Sequence, residues 1–543
     1  MQARPLAIAA DYVIIGGGIT GAMVAQKLSE KKPKASIIVV EAGSSLFDFE
    51  NRFEYRERNL DYGENMWPGD FIADQAPDGM ISRTMAVGGS ALHWGGVCNR
   101  YSEEDTRLKS MYGLAVDWPI EWTELEKYYC EAERRIGVSG EPSPFKEDWR
   151  SEPYPMPAMT PTFNLKQLKG WAEQSGIPFW TTPQAKNTVE DYGGRSNCHR
   201  CNTCEICPTG ARYSPDFTFK QLIADKTRQV QLHSRRLVRK LILDEKTSRI
   251  VAAEAVDESH DPAVRARNAA APRHYEYRAT TFIVASGYTW ASHLLLLSAN
   301  SRFPNGLANT TDQVGRYING HLAYQTQVDL NLKIYPGMNE QHSLISRQFF
   351  RCAPDKPYVR HDLRVWESGA GRDPRLRNAA GNVLLGDELM ADWRTRTARG
   401  SARVRGYYTV EPDKDSRITL DPAITNRWGD AMPRVRHKID AASEARAGAT
   451  RQHFEQLFAE MAKANDGKIG NISGLNYQDH PAGGCRMGTD PATSVVDPHG
   501  RTHDHENLFV VGAPTLPTAG CTNGTLTFVA VALRSVDEIV RSS

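Results

Sequence analysis

The sequence lacks any apolar run long enough to cross a membrane. A spanning helix needs about 20 consecutive apolar residues, whereas the longest candidates here, around Leu295 and Val529, have the length of core segments. The opening residues, MQARPLAIAADYV, are too short for a secretory signal and run directly into a predicted strand. We therefore expect a folded chain with neither a membrane span nor an export signal of its own.

An excess of charge of one sign is also missing. The 66 lysines and arginines almost cancel the 65 aspartates and glutamates. Nucleic acids and anionic membranes select proteins with a positive face, so neither is predicted as a main partner. With 543 residues, the chain exceeds the size at which one core stops growing, which predicts two closely joined domains.

The nine cysteines do not suggest a disulfide framework, because their number is odd and four of them are clustered. The cluster is NCHRCNTCEICP, with Cys198, Cys201, Cys204 and Cys207 at every third position. Three interpretations compete. Structural zinc generally uses two separated cysteine pairs, and neighbouring disulfides would have no evident purpose. Bacterial ferredoxins use a similar run that is also closed by Cys-Pro, so the spacing favours an iron–sulfur cluster.

The N-terminal segment has the features of a dinucleotide-binding unit. An uncharged strand, Tyr12 to Ile15, precedes the glycine triplet Gly16, Gly18 and Gly21, and a second apolar strand ends in Glu41. The glycines permit a tight turn and close approach to a pyrophosphate. The following helix N-terminus stabilises its charge, and the acid accepts from ribose hydroxyls. The pattern allows NAD or FAD.

Two later stretches favour FAD. In VGGSALHWGG, the turn residues Gly88, Gly89 and Ser90 are followed by His93 and Trp94, two rings that would lie against an isoalloxazine. A buried strand at 282–285, followed by a helix with apolar positions from residue 290, is typical of flavoproteins rather than of compact nicotinamide domains.

The C-terminal region supplies a third piece of this predicted site. A strand at 508–511 leads into a loop that starts at Gly512, and Asn523 precedes a predicted helix from Thr525. The free N–H groups at that helix start would face a polar ligand.

Together these motifs resemble the glucose–methanol–choline (GMC) oxidoreductase family of FAD enzymes. The likeness covers nearly the whole chain, through GGGITG, VGGSALHW, DHPAGGCRMG and TNGTLT. The ending CPTGA of the cysteine run is similar to that of the flavin large subunits of bacterial sugar, polyol, gluconate and glucoside 3-dehydrogenases. The resemblance implies an α/β fold, in which a Rossmann-like FAD-binding domain is joined to an α+β substrate domain with an antiparallel sheet.

The resemblance also implies roles for individual residues. His480 would be the catalytic base and Asn523 its partner, with the hydride passing to flavin N5 and the proton to His480. Histidine suits this role because its usual pKa is near neutrality. His93 occupies the place where some members attach FAD covalently, and the sequence leaves that bond open. A helix cap is the alternative role of Asn523.

For the cysteine run, the resemblance implies a [3Fe-4S] cluster with three thiolates. The even spacing departs from the family pattern, so four available thiols leave [4Fe-4S] open. Electrons would leave singly for an external acceptor such as a cytochrome c. The large subunits of this type pair with a small subunit that carries the export signal, which predicts a hetero-oligomer in the bacterial periplasm. Without such a partner the chain would be cytoplasmic.

The motifs predict a division of the chain into alternating parts. We expect FAD-binding segments, a cysteine-rich excursion that presents its cluster at the surface, and an antiparallel substrate-binding domain. We also expect a three-stranded appendage at 230–254, a loop at 260–274 and a helix at 442–463, capped at residues 465–467. The predicted boundaries are 1–141, 216–321 and 480–543 for FAD, 142–215 for the excursion and 322–479 for the substrate domain.

Two other functions fit parts of this pattern. One is a nicotinamide-linked alcohol dehydrogenase with structural zinc, and the other is a non-catalytic scaffold that binds metal through the cysteine run. The preferred prediction is an FAD-dependent dehydrogenase that oxidises a hydroxyl of a sugar, a glycoside or a sugar acid. No motif specifies which hydroxyl.

Overall fold

The fold was analysed in a computed structural model. It describes residues 5–48, 50–61, 72–74, 84–145, 148–257, 273–335, 342–351, 360–367, 374–398, 400–426, 428–439, 441–463, 466–475 and 480–543.

A seven-stranded sheet is built around the strand Leu6–Ile15, whose last four residues are buried. This strand pairs in parallel with Ser36–Val40 on one side and with His274–Val284 on the other. Strands covered on both faces read as continuous apolar runs in parallel sheets, as the sequence predicts here. The strands, in spatial order, are Arg236–Asp244, Arg249–Asp257, His274–Val284, Leu6–Ile15, Ser36–Val40 and Gln229–His233, with Leu508–Val510 paired to His274–Val284.

The structure corrects the prediction of a separate three-stranded appendage. Gln229–His233 pairs in parallel with Ser36–Val40, and Arg249–Asp257 pairs with His274–Val284, so these strands extend the first sheet. The reason is the length of His274–Val284, of which only the end was predicted. Its outer half offers backbone groups that would otherwise form an exposed edge.

The second sheet is antiparallel throughout, as predicted for the region after Leu322. In Gly400–Thr409 the exposed Arg403 lies between the buried Ala402 and Val404, so one face packs on the core and the other is more open. The excursion contributes a strand to this sheet. The strands, in spatial order, are Lys468–Ile469, His321–Leu330, Gly400–Thr409, Leu363–Glu367, Leu344–Ser346 and Trp180–Thr181, with Ser473–Leu475 paired to His321–Leu330.

Smaller strand groups complete the β-structure. A three-stranded sheet contains Arg417–Thr425, Ala431–Arg436 and Ile72–Asp74. Two strand pairs are Ser139–Gly140 with Met156–Pro157 and Asp191–Tyr192 with Arg195–Ser196.

The helices cover the sheets and share one cluster of buried apolar residues with them. The predicted helix near residue 290 starts earlier, at Gly287, and the long predicted helix spans Ala441–Lys463. The described α-helices are Ile19–Lys31, Arg52–Asp61, Glu103–Thr106, Leu108–Tyr112, Trp122–Ile136, Phe163–Glu173, Asp216–Ala224, Gly287–Leu297, Gly386–Thr397, Ala441–Lys463 and Thr525–Ser542.

Within the described ranges, no helix combines the length and hydropathy that a transmembrane span requires. The predicted loop at 260–274 falls outside those ranges up to residue 272, and so does the predicted cap residue Asn465. The predicted domain boundaries stay predictions.

Candidate active site

A cavity of about 910 Å³ joins the glycine triplet to the C-terminal motifs. Its size is near the upper end of the roughly 300–1,000 Å³ typical of ligand pockets. Predicted site residues lining it are Gly16, Gly18, Glu41, Gly88, Gly89, Ser90, His93, Trp94, His480, Asn523 and Thr525. Segments far apart in sequence therefore meet around one ligand-sized space.

The glycine triplet has the geometry that its motif requires. Gly16 has φ of +111°, and a Cβ on Gly21 would lie 2.0 Å from the carbonyl oxygen of Gly16. A side chain at Gly21 would therefore push the helix away from the turn. Gly18 lines the cavity where the helix Ile19–Lys31 begins, so the positive end of the helix dipole faces the cavity.

Glu41 is held at the same end of the cavity by backbone amides. Its Oε2 accepts from the N–H of Gly17 at 2.7 Å, and its Oε1 accepts from the N–H of Gly43 at 2.8 Å. Burial raises the pKa of Glu41, while the amide hydrogen bonds act in the opposite direction. The carboxyl group is thus fixed in the position where the motif places a ribose-binding acid.

His93 and Trp94 form another part of the cavity wall. The short 3₁₀ helix Gly89–Leu92 leads into His93, whose Nε2 is buried and has no hydrogen-bond partner among the described residues. Burial, and secondarily Arg212, lowers the pKa of His93 to about 4, so the ring is neutral near pH 7. Trp94 donates from Nε1 to the carbonyl of Tyr213 at 2.9 Å. A buried polar atom that faces a cavity suits a bound polar cofactor.

His480 and Asn523 meet at the opposite part of the cavity. Nδ2 of Asn523 lies 2.8 Å from Nε2 of His480. His480 has φ of +57°, an uncommon conformation that is often found at functional sites. The structure does not use the Asn523 side chain as a cap, because Gly524 is the N-cap residue of the helix Thr525–Ser542.

Arg364 fixes the orientation of the Asn523 amide through a hydrogen bond that the sequence did not predict. Its Nη2 donates to Oδ1 of Asn523 and, at 3.2 Å, to the Thr522 hydroxyl. Its Nε donates at 2.9 Å to the fully buried carboxylate of Asp362. With Oδ1 accepting from Arg364, the amide NH₂ faces His480, and Nε2 of His480 accepts its hydrogen. No local motif marks Arg364.

Two rings from the second sheet flank the base. His321 and Tyr407 have ring centroids 5.3 Å and 6.1 Å from that of His480. His321 is buried, and its Nδ1 lies 3.0 Å from the carbonyl oxygen of Gly520. These rings limit the positions that the His480 side chain can occupy.

Two of the predicted cofactor-binding glycines lie behind the cavity wall. Neither Gly21 nor Gly512 is among the lining residues, although both support that wall. A Cβ on Gly512 would lie 2.6 Å from the Cγ2 of Thr20. Gly512 therefore permits close packing between the C-terminal loop and the first helix.

The cysteine run lies beside the cavity rather than in its lining. Ile206 donates its N–H to the carbonyl of Leu92 at 2.8 Å, directly before His93. Cys207 is buried and Cys201 is exposed, while Cys198 and Cys204 are intermediate. Among the described residues, no group of three or more histidine, cysteine, aspartate or glutamate side chains is arranged to hold a metal ion, and no disulfide joins the run. As placed, the four thiols do not form a ligand set.

This fold and this cavity have the features predicted for a dinucleotide-binding enzyme. A model of the GMC oxidoreductases matches residues 412–532. The fructose dehydrogenase large subunit of Gluconobacter japonicus is 29% identical over 98% of both chains. The 6‴-hydroxyparomomycin C oxidase of Streptomyces lividus is 28% identical over 97% of this chain and 90% of the relative. The solved formate oxidase of Aspergillus oryzae has the same fold, with a TM-score of 0.63, 14% identity and 99% coverage of both chains.

The predicted resemblance to the GMC oxidoreductases is confirmed by the family model over residues 412–532 and by relatives that match nearly the whole chain. The predicted fold class is confirmed, and so is the prediction of an enzyme that acts on CH–OH groups. The flavin prediction is confirmed at the level of the family.

Proposed function

We propose that this chain is an FAD-dependent dehydrogenase that oxidises a hydroxyl of a sugar, a glycoside or a sugar acid. The observation that carries the proposal is the single cavity that holds both the dinucleotide motif and the His480–Asn523 pair. The similarity to fructose dehydrogenase and to an aminoglycoside oxidase supports a sugar-like substrate.

The residues around the cavity suit FAD along its whole length. Gly16, Gly18 and Glu41 would hold the adenosine and pyrophosphate end, and Gly88 to Ser90 would continue the wall. His93, Trp94 and Thr525 would lie toward the ring system, while Gly21 and Gly512 would support these segments from behind. When bound, FAD supplies the hydride acceptor.

His480 and Asn523 then have different roles toward the substrate hydroxyl. Nε2 of His480 accepts a hydrogen from Asn523 in the structure, so this nitrogen carries no proton. A substrate hydroxyl that takes the place of the Asn523 amide at this lone pair can transfer its proton to Nε2. The amide NH₂ of Asn523 has a second hydrogen that can bind the substrate oxygen. Arg364 keeps the amide in that orientation. The rings of His321 and Tyr407 beside His480 limit the access of water to the proton that is transferred from the hydroxyl.

An iron–sulfur cluster in the cysteine run is a further part of this proposal. Its support is the spacing of Cys198, Cys201, Cys204 and Cys207 and the position of the run beside His93. Because the thiols do not converge, binding a cluster would require this segment to rearrange. [3Fe-4S] is favoured and [4Fe-4S] remains the alternative.

The proposed partners follow from the same resemblance. We propose a cytochrome c as electron acceptor and a small subunit that brings this chain to the bacterial periplasm. The similarity to a protein named as a large subunit supports such an assembly. No nucleic acid is proposed as a partner.

Flavin content and anaerobic sugar oxidation test the proposal together. Purified protein should be yellow and release about one FAD per chain, and a sugar should bleach the visible flavin absorbance without oxygen. The panel should contain glucose, fructose, sorbitol, gluconate and a β-glucoside. A colourless protein that reduces NAD with an alcohol would replace the proposal with the zinc-containing alternative. A protein with neither flavin nor activity would favour the scaffold.

A further inference from the structure

We infer that the substrate of this enzyme is an anionic sugar, whose oxyanion binds to Arg403 and Arg405 on the second sheet. The inference rests on the proposed function and narrows its substrate class. The shared chemistry is an oxyanion, which a carboxylate or a phosphate can provide.

Both arginines belong to the sheet face that lines the cavity. In the pairing of Leu363–Glu367 with Gly400–Thr409, Arg364 lies opposite Arg405 and Trp366 lies opposite Arg403. Opposite residues in antiparallel strands project to the same face. All four side chains, together with Tyr407, line the cavity.

The arginine pair is connected to the reactive end of the cavity. Arg364 donates to Asn523, which contacts His480, and Arg405 is the cross-strand neighbour of Arg364. Arg403 is two residues away from Arg405, roughly 7 Å further along the strand. An anion bound there would occupy the end of the substrate that is remote from the oxidised hydroxyl.

This face places the cations Arg364, Arg403 and Arg405 close together. Like charges directly opposite each other destabilise a strand pair, yet Arg364 and Arg405 occupy such positions. Asp362 pairs with Arg364 at 2.9 Å. For Arg403, the described residues provide no carboxylate within ion-pair distance. Its guanidinium instead lies over Trp366, 5.6 Å from the ring centroid, and partial burial followed by Arg405 lowers the pKa of Arg403.

The other cavity arginines show a different arrangement. Arg239 is paired with Asp430 at 2.6 Å, and Arg236 is paired with Asp257. These two arginines are therefore already neutralised by carboxylates of the chain. Arg403 has a cation and an aromatic ring as its neighbours, an arrangement that favours an incoming anion.

The side chains suit an oxyanion in geometry as well as in charge. The planar guanidinium offers two parallel donors that match a carboxylate or phosphate. Arg405 lies 4.9 Å from the Trp366 ring centroid and 4.1 Å from that of Tyr407, so both aromatic faces restrict its guanidinium. Less conformational freedom is then lost when a ligand binds.

Matched neutral and anionic sugars test this inference in the FAD-loaded enzyme. Glucose is compared with glucuronate and with glucose 6-phosphate, and sorbitol with gluconate, by anaerobic stopped-flow reduction of the flavin. For at least one pair, we expect kcat/KM to be about tenfold or more higher for the anion. Added NaCl should raise KM for that anion and leave the neutral partner unchanged, because salt screens charge. The carboxylate and phosphate members show which oxyanion is preferred.

Variants of Arg403 test whether the preference for an anionic sugar depends on this residue. Arg403→Gln should raise KM for the anionic sugar about tenfold or more with little change in kcat, while KM for the neutral partner stays the same. Arg403→Lys should have a KM for the anionic sugar between those of the unmodified enzyme and Arg403→Gln, since lysine keeps the charge but lacks the planar guanidinium. Arg278→Gln is the matched control, because Arg278 is a 62% exposed strand arginine outside the cavity.

Calorimetric titration of His480→Ala with the same sugars measures affinity while the loss of the base slows turnover. If the anion binds no better than its neutral partner, and Arg403→Gln changes both equally, the inference is wrong. In that case, bleaching of the flavin by neutral sugars would leave the proposed function intact. If no sugar of either kind reduces the flavin or binds, both fail.

Discussion

At the residue scale, the contact between His480 and Asn523 depends on buried partners that hold it in place. Asn523 is 9% exposed and receives a hydrogen bond from Arg364, while Asp362 and Thr522 complete the group behind it. The amide cannot rotate without breaking the bond from the guanidinium. The base therefore meets a donor of fixed orientation before any substrate enters.

His480→Ala tests the proposed base directly. Loss of general base catalysis should lower the rate of flavin reduction by roughly 10² to 10⁴, while FAD content and thermal stability stay the same. Stopped-flow kinetics with the best sugar gives the rate. His274→Ala serves as control, because His274 is exposed at the start of a strand. A rate within threefold of the unmodified enzyme would show that His480 is not the base.

Variants of Arg364 and Asp362 separate the effect of Arg364 on stability from its effect on catalysis. Arg364→Met leaves the buried Asp362 carboxylate unpaired, a change that commonly costs about 3–5 kcal/mol, and it frees the Asn523 amide. Both Tm and kcat should fall. Adding Asp362→Asn removes the unpaired charge, so Tm should recover, whereas kcat should stay at least tenfold low. Recovery of kcat in the double variant would mean that Arg364 acts only through stability.

At the element scale, the second sheet and the helix Ala441–Lys463 are joined through an aromatic cluster. His361 lies two residues before the strand Leu363–Glu367 and is fully buried. Its ring centroid is 4.7 Å from that of Phe349 and 4.5 Å from that of Phe454 on the long helix. The strand start and the helix are thus packed on one imidazole.

This packing predicts a pH dependence of stability. Burial lowers the pKa of His361 to about 3 from an ordinary value of 6.5, with a smaller opposing effect of the Asp362 backbone. Below pH 6.5 the unfolded chain binds a proton that the folded chain does not, so the stability contribution is present above that pH and is lost on acidification toward pH 3. The slope is about 1.4 kcal/mol per pH unit for such a group.

Urea unfolding between pH 7 and pH 4 measures this effect. His361→Gln removes the titrating ring, so its free energy of unfolding should fall less steeply with acidification, even though the variant is less stable at pH 7. The difference in slope is the quantity to compare, because the absolute stabilities differ. Equal slopes in both proteins would exclude His361 as a source of the pH dependence.

At the scale of the whole molecule, the cysteine run lies between the cavity wall and the protein surface. It contacts the segment that leads to His93 on one side and exposes Cys201 on the other. The structure and the proposed cluster differ in the placement of the thiols, which makes metal content the decisive measurement.

Anaerobically purified protein should contain iron and acid-labile sulfide, with the four thiols protected from iodoacetamide. After chelation of the metal, Cys201 should react first and Cys207 last, in the order of their exposure. Cys204→Ser should lose the cluster, because a hydroxyl is a poor ligand for iron. Its flavin should still be reduced by sugar while reduction of cytochrome c falls. Zinc in place of iron, or unprotected thiols with no metal, would contradict the cluster.

Much of the fold could be predicted because its signals are local. Uncharged strands predict a buried parallel sheet, and alternating polarity after Leu322 predicts an antiparallel one. The position of the strands at 229–257 could not be predicted in this way. It depends on the unpaired edge of His274–Val284, a property of the assembled sheet that no single segment carries.

The sequence by itself determined the cofactor class and the two proposed catalytic residues. Gly16, Gly21 and Glu41 are required by the backbone around a dinucleotide, and His480 and Asn523 lie in short motifs. Only the tertiary structure decided which groups surround them. Arg364 is separated from Asn523 by 159 positions, and its contact exists because a strand of the second sheet lies across the cavity. Arg403 and Arg405 face the cavity because strand register orients them there, and register is set by the packing of the whole sheet.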